Sequence, residues 1–162
     1  MIAGFALGKP WEAGKPPVLV RTTVGDTGVT LVLPDRIASH LKVDSTGGSA
    51  SYVYGVADQD PFLFEIEVER LDAPIASDAL EAELEGLRQG IDKKPGAELK
   101  VVTPAHVETI GGRRTVTIEV KLKNDVPVKS YFTFVGPHLV VVRSYGVGDR
   151  PKSWAGIEEE IV

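Results

Sequence analysis

The residues best suited to metal ligation or proton transfer are the three histidines, His40, His106 and His138. They fall on separate stretches, and no His-x-x-x-His spacing sets two ligands on one face of an element. Asp58-Gln59-Asp60 offers two carboxylates of the kind calcium takes, yet the further oxygen ligands and the bidentate glutamate of a hand-type loop do not follow, so the stretch reads as a solvated turn. Gly146-Val147-Gly148 is half of a dinucleotide fingerprint, but it follows an antiparallel strand and lacks a third glycine at the required spacing. There is no Gly-x-Ser-x-Gly elbow and no phosphate-binding loop. A serine triad is assembled in space and leaves no spacing to read. No paired acid and base can be named, so the chain is read as a non-enzyme, with no cofactor and no metal implied.

Binding chemistry is better represented. Arg143, Tyr145, Asp149, Arg150 and Trp154 lie where a strand end, a glycine loop and a helix start are expected to converge. Arginine and aromatic side chains are the enriched anchors of protein interfaces, and a helix start favours anions. These five residues form the candidate interface, with the alternative that Trp154 closes the sheet as a core residue. Two polar rows, Glu65, Glu67, Glu69 and Thr117, Glu119, Lys121, Lys123, admit two readings. They are solvated strand faces, with cross-strand pairs worth roughly 0.2 to 1 kcal/mol each, or they are a polar docking surface.

The elements that must position these groups are legible from periodicity. From Arg114, apolar residues recur at every second position, Val116, Ile118, Val120 and Leu122, with Thr115, Thr117, Glu119 and Lys121 between them. Period two predicts a strand with one buried face. Asn124-Asp125 is turn chemistry; Val126 to Val135 returns with Val128, Phe132 and Phe134 on one face, and Gly136-Pro137 breaks the chain before His138 to Tyr145. In that last strand Leu139-Val140-Val141-Val142 is apolar on both faces, which predicts a strand inside the sheet, covered on both sides. Arg113 to Tyr145 is therefore expected to be a three-stranded antiparallel meander.

Upstream, Val18 to Val24 and Val29 to Leu33 read as a hairpin about Gly25-Asp26-Thr27-Gly28, and Pro34 to Leu41 as a short helical turn. Ser45 to Ser51, with Gly47-Gly48, reads as a flexible loop. Tyr52 to Ala57 and Phe62 to Leu71 read as strands. The spacing of Leu80, Leu84, Leu87 and Ile91 predicts a helix over Ser77 to Ile91 with Ser77 as N-cap, closed by Lys93-Lys94-Pro95-Gly96. Leu99 to Ile110 is a strand bent at Pro104, turned by Gly111-Gly112. A terminal helix from Ser153 carries Trp154, Ile157 and Ile161; Glu158 to Glu160 oppose its dipole and no cap follows, so the chain is expected to continue past Val162.

Composition sets the outer bounds. The chain has 162 residues, 43% of them hydrophobic and 25% charged, and no cysteine. Disulfides, thiolate metal sites and a cysteine nucleophile are thereby excluded. Residues 1–17 are expected to be an arm, with Phe5, Leu7 and Trp11 docking on their own domain, and 18–162 a single α+β domain. The net charge of -5 argues against nucleic acid as a partner while leaving room for a local basic patch. Met1 to Gly8 is apolar but short and has no basic flank, and no run approaches the roughly 20 residues of a membrane span. The expected location is cytoplasmic, or extracytoplasmic had a leader been removed.

Three features carry a family resemblance: a strand ending in Leu33-Pro34-Asp35, the turn Ile110-Gly111-Gly112-Arg113 leading into a long strand, and the strand His138 to Tyr145 followed by a helix with Trp154 and Ile157. Over most of Val29 to Val162 the chain resembles the PsbP-like superfamily, which takes in the extrinsic photosystem II subunit, a Ran-binding nuclear-import factor and small bacterial proteins, some of them chaperones for type VI secretion effectors. The family's usual tryptophan shortly after the first proline is missing; Ile37 stands near that place. The resemblance implies an antiparallel sheet of about six or seven strands with helices on its faces, an α/β/α sandwich. It also implies a non-catalytic binding, assembly or chaperone-like role whose partner is another protein. The alternative is a small-molecule-binding domain with a pocket between helix and sheet.

Overall fold

The structure, a computed structural model, describes residues 18–35, 42–54, 62–93, 99–123 and 125–146. The expected arm, the turn at Asp58 to Pro61, the turn after Asp35, the loop after Gly146 and the terminal helix lie outside these residues. Nine strands and one helix are described: β1 (Leu19–Thr23), β2 (Thr30–Pro34), β3 (Lys42–Thr46), β4 (Ser49–Tyr54), β5 (Phe62–Arg70), α1 (Leu80–Asp92), β6 (Lys100–Ile110), β7 (Arg113–Lys121), β8 (Pro127–Val135) and β9 (His138–Gly146). Strands β1 and β2 form a separate hairpin; the other seven form one antiparallel sheet in the order β3-β4-β5-β9-β8-β7-β6. The fold is α+β, as the sequence predicts.

The position of β9 follows from its composition. Val140, Val141 and Val142 are 0%, 5% and 0% exposed, so consecutive residues are buried on opposite faces. That requires neighbours on both edges and covers on both faces. Accordingly β9 is the middle strand of seven, between β5 and β8. One face is covered by α1, whose Leu80, Leu84, Leu87 and Ile91 pack with Val116, Ile118, Val120, Val128 and Phe132 over the β6–β7 half. On the other face the hairpin contributes Val24, Val29, Leu31 and Leu33 to a cluster with Ile66, Val68, Tyr131, Val140 and Val142.

The period-two reading of β7 needs a correction. Val116, Ile118 and Val120 are buried as expected, but Thr115 and Thr117 on the other face are buried as well. A threonine hydroxyl can bond locally: Thr115 Oγ1 donates to the carbonyl of Arg113 and, on β8, Thr133 Oγ1 to that of Arg114, each at 3.3 Å, whereas the buried Thr117 Oγ1 has no hydrogen-bond partner among the described residues. The expected loop at Ser45 to Ser51 is also corrected. It is the β3–β4 hairpin, turned by Gly47 and Gly48 at φ 62° and 80°, the positive-φ pair that a two-residue hairpin turn requires. The same device, Gly111 and Gly112 at 56° and 81°, joins β6 to β7.

The helix begins later than its apolar stripe suggests. Ala79 is its N-cap and makes no side-chain capping bond; Ser77 and Asp78 lie in the preceding turn. Tertiary contacts hold the element at both ends instead. Arg114 of β7 donates from Nε and Nη2 to the two carboxylate oxygens of Glu81, at 2.7 and 2.9 Å. At the other end Asp92 Oδ1 accepts the Ala105 backbone N–H at 3.3 Å, next to the irregularity that Pro104 introduces into β6. Leu84, 0% exposed, is the buried centre of the helix. Leu84→Ala is therefore expected to cost about 2 to 5 kcal/mol in urea unfolding. A loss below about 1 kcal/mol would show that α1 is not part of the cooperative core.

Candidate functional site

Two of the five expected interface residues, Arg143 and Tyr145, lie on β9 within the described residues; Asp149, Arg150 and Trp154 lie outside them. Successive odd positions on a strand share a face, and the register pairs Arg143 with Glu65 and Val141 with Glu67 on β5. Arg143 Nη1 reaches diagonally to Glu67 Oε2 at 2.8 Å and stands 3.8 Å from Glu65 Oε1. The Tyr145 hydroxyl donates to Glu65 Oε2 at 2.8 Å. Four side chains thus form one network, Tyr145–Glu65–Arg143–Glu67, on the same face of the sheet as α1 but over β5 and β9, beyond the strands that α1 covers.

Glu65 and Glu67 belong to the row that the sequence also allowed as simple solvated surface. Their partners are 80 and 76 residues away, so only the adjacency of β5 and β9 reveals the network. The charge alternation of Glu65, Glu67 and Glu69 was the available signal, but register could not be read from it. The side chains are partly exposed, Arg143 at 26% and Glu67 at 42%. Two carboxylates face one guanidinium, and exposed Glu69 and Asp44 add to them, so this part of the sheet is acidic.

The network does not pair an acid with a base. Burial, then the bond to Glu65, pushes the Tyr145 phenol up from 10.0 to about 12, so it stays a hydrogen-bond donor beyond the pH at which a free phenol ionises. The histidines do not meet: His106 is on edge strand β6, 2.9 Å from the Pro104 carbonyl and 3.5 Å from Glu108, while His138 is buried at the start of central β9; His40 lies outside the described residues. No group of three His, Asp or Glu side chains among the described residues is arranged to hold a metal ion. A shallow concavity of about 260 Å³ over Asp44, Thr46, Ser49, Ala50 and Ser51 is smaller than the roughly 300 to 1,000 Å³ of sites that enclose small molecules. No described helix is long and apolar enough to cross a membrane.

An α+β chain built on a seven-stranded antiparallel sheet, with a helix on one face and a hairpin on the other, defines the class of protein. No protein-family model and no curated protein sequence matches the chain. Solved structures do. The solution structure of cyanobacterial PsbP (CyanoP) from Synechocystis sp. PCC 6803 matches over 88% of each chain with a TM-score of 0.54 at 11% identity. A crystal structure of a protein of unknown function from Pseudomonas aeruginosa matches over 86% of this chain and 88% of its own, with a TM-score of 0.43 at 14% identity. The fold is PsbP-like, and the likeness extends to fold alone.

The raised Tyr145 pKa makes a stability prediction whose sign can be worked out. The unfolded phenol ionises near 10.0 and the folded one near 12, so the stabilisation is complete below pH 10 and is lost as pH rises towards 12. Tyr145→Phe is expected to flatten that alkaline loss in denaturant unfolding measured across this window. Identical pH profiles for the two proteins would mean that Tyr145 ionises equally in both states.

Proposed function

We propose that this chain is a non-catalytic protein-binding or assembly factor that engages another protein through the β5–β9 part of the helix-bearing sheet face. The observation that carries the reading is the network of Arg143, Tyr145, Glu65 and Glu67, polar, partly exposed and held in one geometry by bonds across two adjacent strands. Side chains already ordered in the free protein lose less entropy on docking. Arginine and tyrosine are common interface anchors, and the surplus of carboxylate favours a partner that presents donors or basic groups. The other expected interface residues, Asp149, Arg150 and Trp154, lie outside the described residues and belong to the same binding surface in this proposal. The small-molecule reading has the shallow concavity behind it.

Arg143→Ala is expected to cost no more than about 1 kcal/mol of stability, because the ion pair is partly solvated. It should nevertheless weaken the partner complex. A direct test places a photoreactive residue at Glu67 and, as control, at Glu83 on the exposed surface of α1. In the source cell's lysate, position 67 should crosslink to one protein, with the product lost on Glu65→Lys. Equal products from both positions, or none from position 67 at good protein yield, would remove the proposed surface.

A further inference from the structure

A second surface, of opposite charge, lies at the other side of the sheet. Lys100 on β6 and Lys121 on β7 are direct partners across the ladder, although like charges directly opposite one another destabilise it. Neither forms an ion pair with a described residue. Lys123 follows Lys121 into the β7–β8 turn, and Lys129 on β8 stands opposite Glu119 with its Nζ 5.3 Å from the Tyr131 ring centre. Among the described residues lysines therefore outnumber carboxylates at this end of the sheet, in a chain whose net charge is -5.

Apolar surface adjoins them. Val101 and Val102 are 38% and 46% exposed. The register with β7 breaks between Val101 and Thr103, leaving Val102 without a partner there, which is how a bulge turns a side chain away from its own sheet. β6 is the terminal strand of the sheet, with no described strand on its outer side. Pro104, which has no N–H, bounds the accessible stretch.

We infer that Lys100–Thr103 of β6, together with Lys121, is a docking surface for an acidic segment of another protein that carries apolar side chains between its carboxylates. Charge complementarity names the carboxylates, and the exposed Val101 and Val102 name the apolar component. Nucleic acid fits less well, since it is held by wider basic footprints that match successive phosphates. This surface is independent of the network on β5 and β9: Lys121 lies on the opposite sheet face, and β8 stands between its strand and β9.

The test is fluorescence anisotropy with a labelled short peptide of alternating glutamate and valine. The peptide should bind saturably with one site per chain. Lys100→Glu combined with Lys121→Glu should weaken binding about tenfold or more, Val102→Asp should also weaken it, and Arg143→Ala should leave it unchanged. Lys121→Glu alone, which sets a carboxylate opposite Lys100, should raise rather than lower the melting temperature, separating lost binding from lost folding. No saturable binding, affinity indifferent to the double charge reversal, or polyglutamate or single-stranded DNA bound as tightly as the peptide would overturn the inference. A failure here leaves the crosslinking result at Glu67 untouched, because the variants lie on different surfaces.

Discussion

Burial of β9 on both faces is the constraint from which the rest of the structure follows. Three consecutive valines with almost no exposure cannot be served by a sheet that has one wet face. Each such side chain gains roughly 1.5 to 3 kcal/mol when fully buried, but only if something covers it. The chain supplies two different covers. A two-stranded hairpin rich in valine and leucine covers Val140 and Val142 on one face, and on the other a helix with a leucine stripe covers the neighbouring β6–β7 half of the sheet. The antiparallel pairing of β5 and β8 with β9 then satisfies the backbone on both sides of the buried strand.

The two covers are not equivalent, and the difference decides where polar chemistry is found. The helix packs on β6 and β7, so the β5 and β9 residues on its side of the sheet retain charged and hydroxyl groups. A partly buried tyrosine hydroxyl and an arginine need partners, which the glutamates of β5 provide at 2.8 Å. On the hairpin side the buried polar positions of β7 are the small Thr115 and Thr117, which fit beneath a cover. The same alternation of residue types thus gives a charged surface in one place and a buried polar layer in another.

Helix placement shows how tertiary bonds replace local ones. α1 has no side-chain N-cap and no basic residue in its last turn. Its ends are held by Arg114 on Glu81 and by Asp92 on the Ala105 backbone, both contacts to the sheet. The hydrophobic stripe defines which face turns inward; the polar contacts define where along the strands the helix sits. The kink that Pro104 introduces into β6 is part of that arrangement, because it leaves a backbone N–H for Asp92 to accept.

The central meander, the leucine stripe of α1 and the interior position of β9 were legible in the sequence because each is written in local periodicity. The β3–β4 hairpin was not, since a short polar edge strand carries no apolar alternation and Gly47-Gly48 suits a loop as well as a tight turn. Arg143 and Tyr145 could be picked out by residue type. Their union with Glu65 and Glu67 required the order β5-β9, and so did the facing of Lys100 and Lys121 require the register of β6 on β7. Sequence by itself determined which residues seek the interior, because hydrophobicity belongs to the side chain. Only the tertiary structure decided which charges meet, because an ion pair depends on strand order and register, and neither is a property of any single stretch of chain.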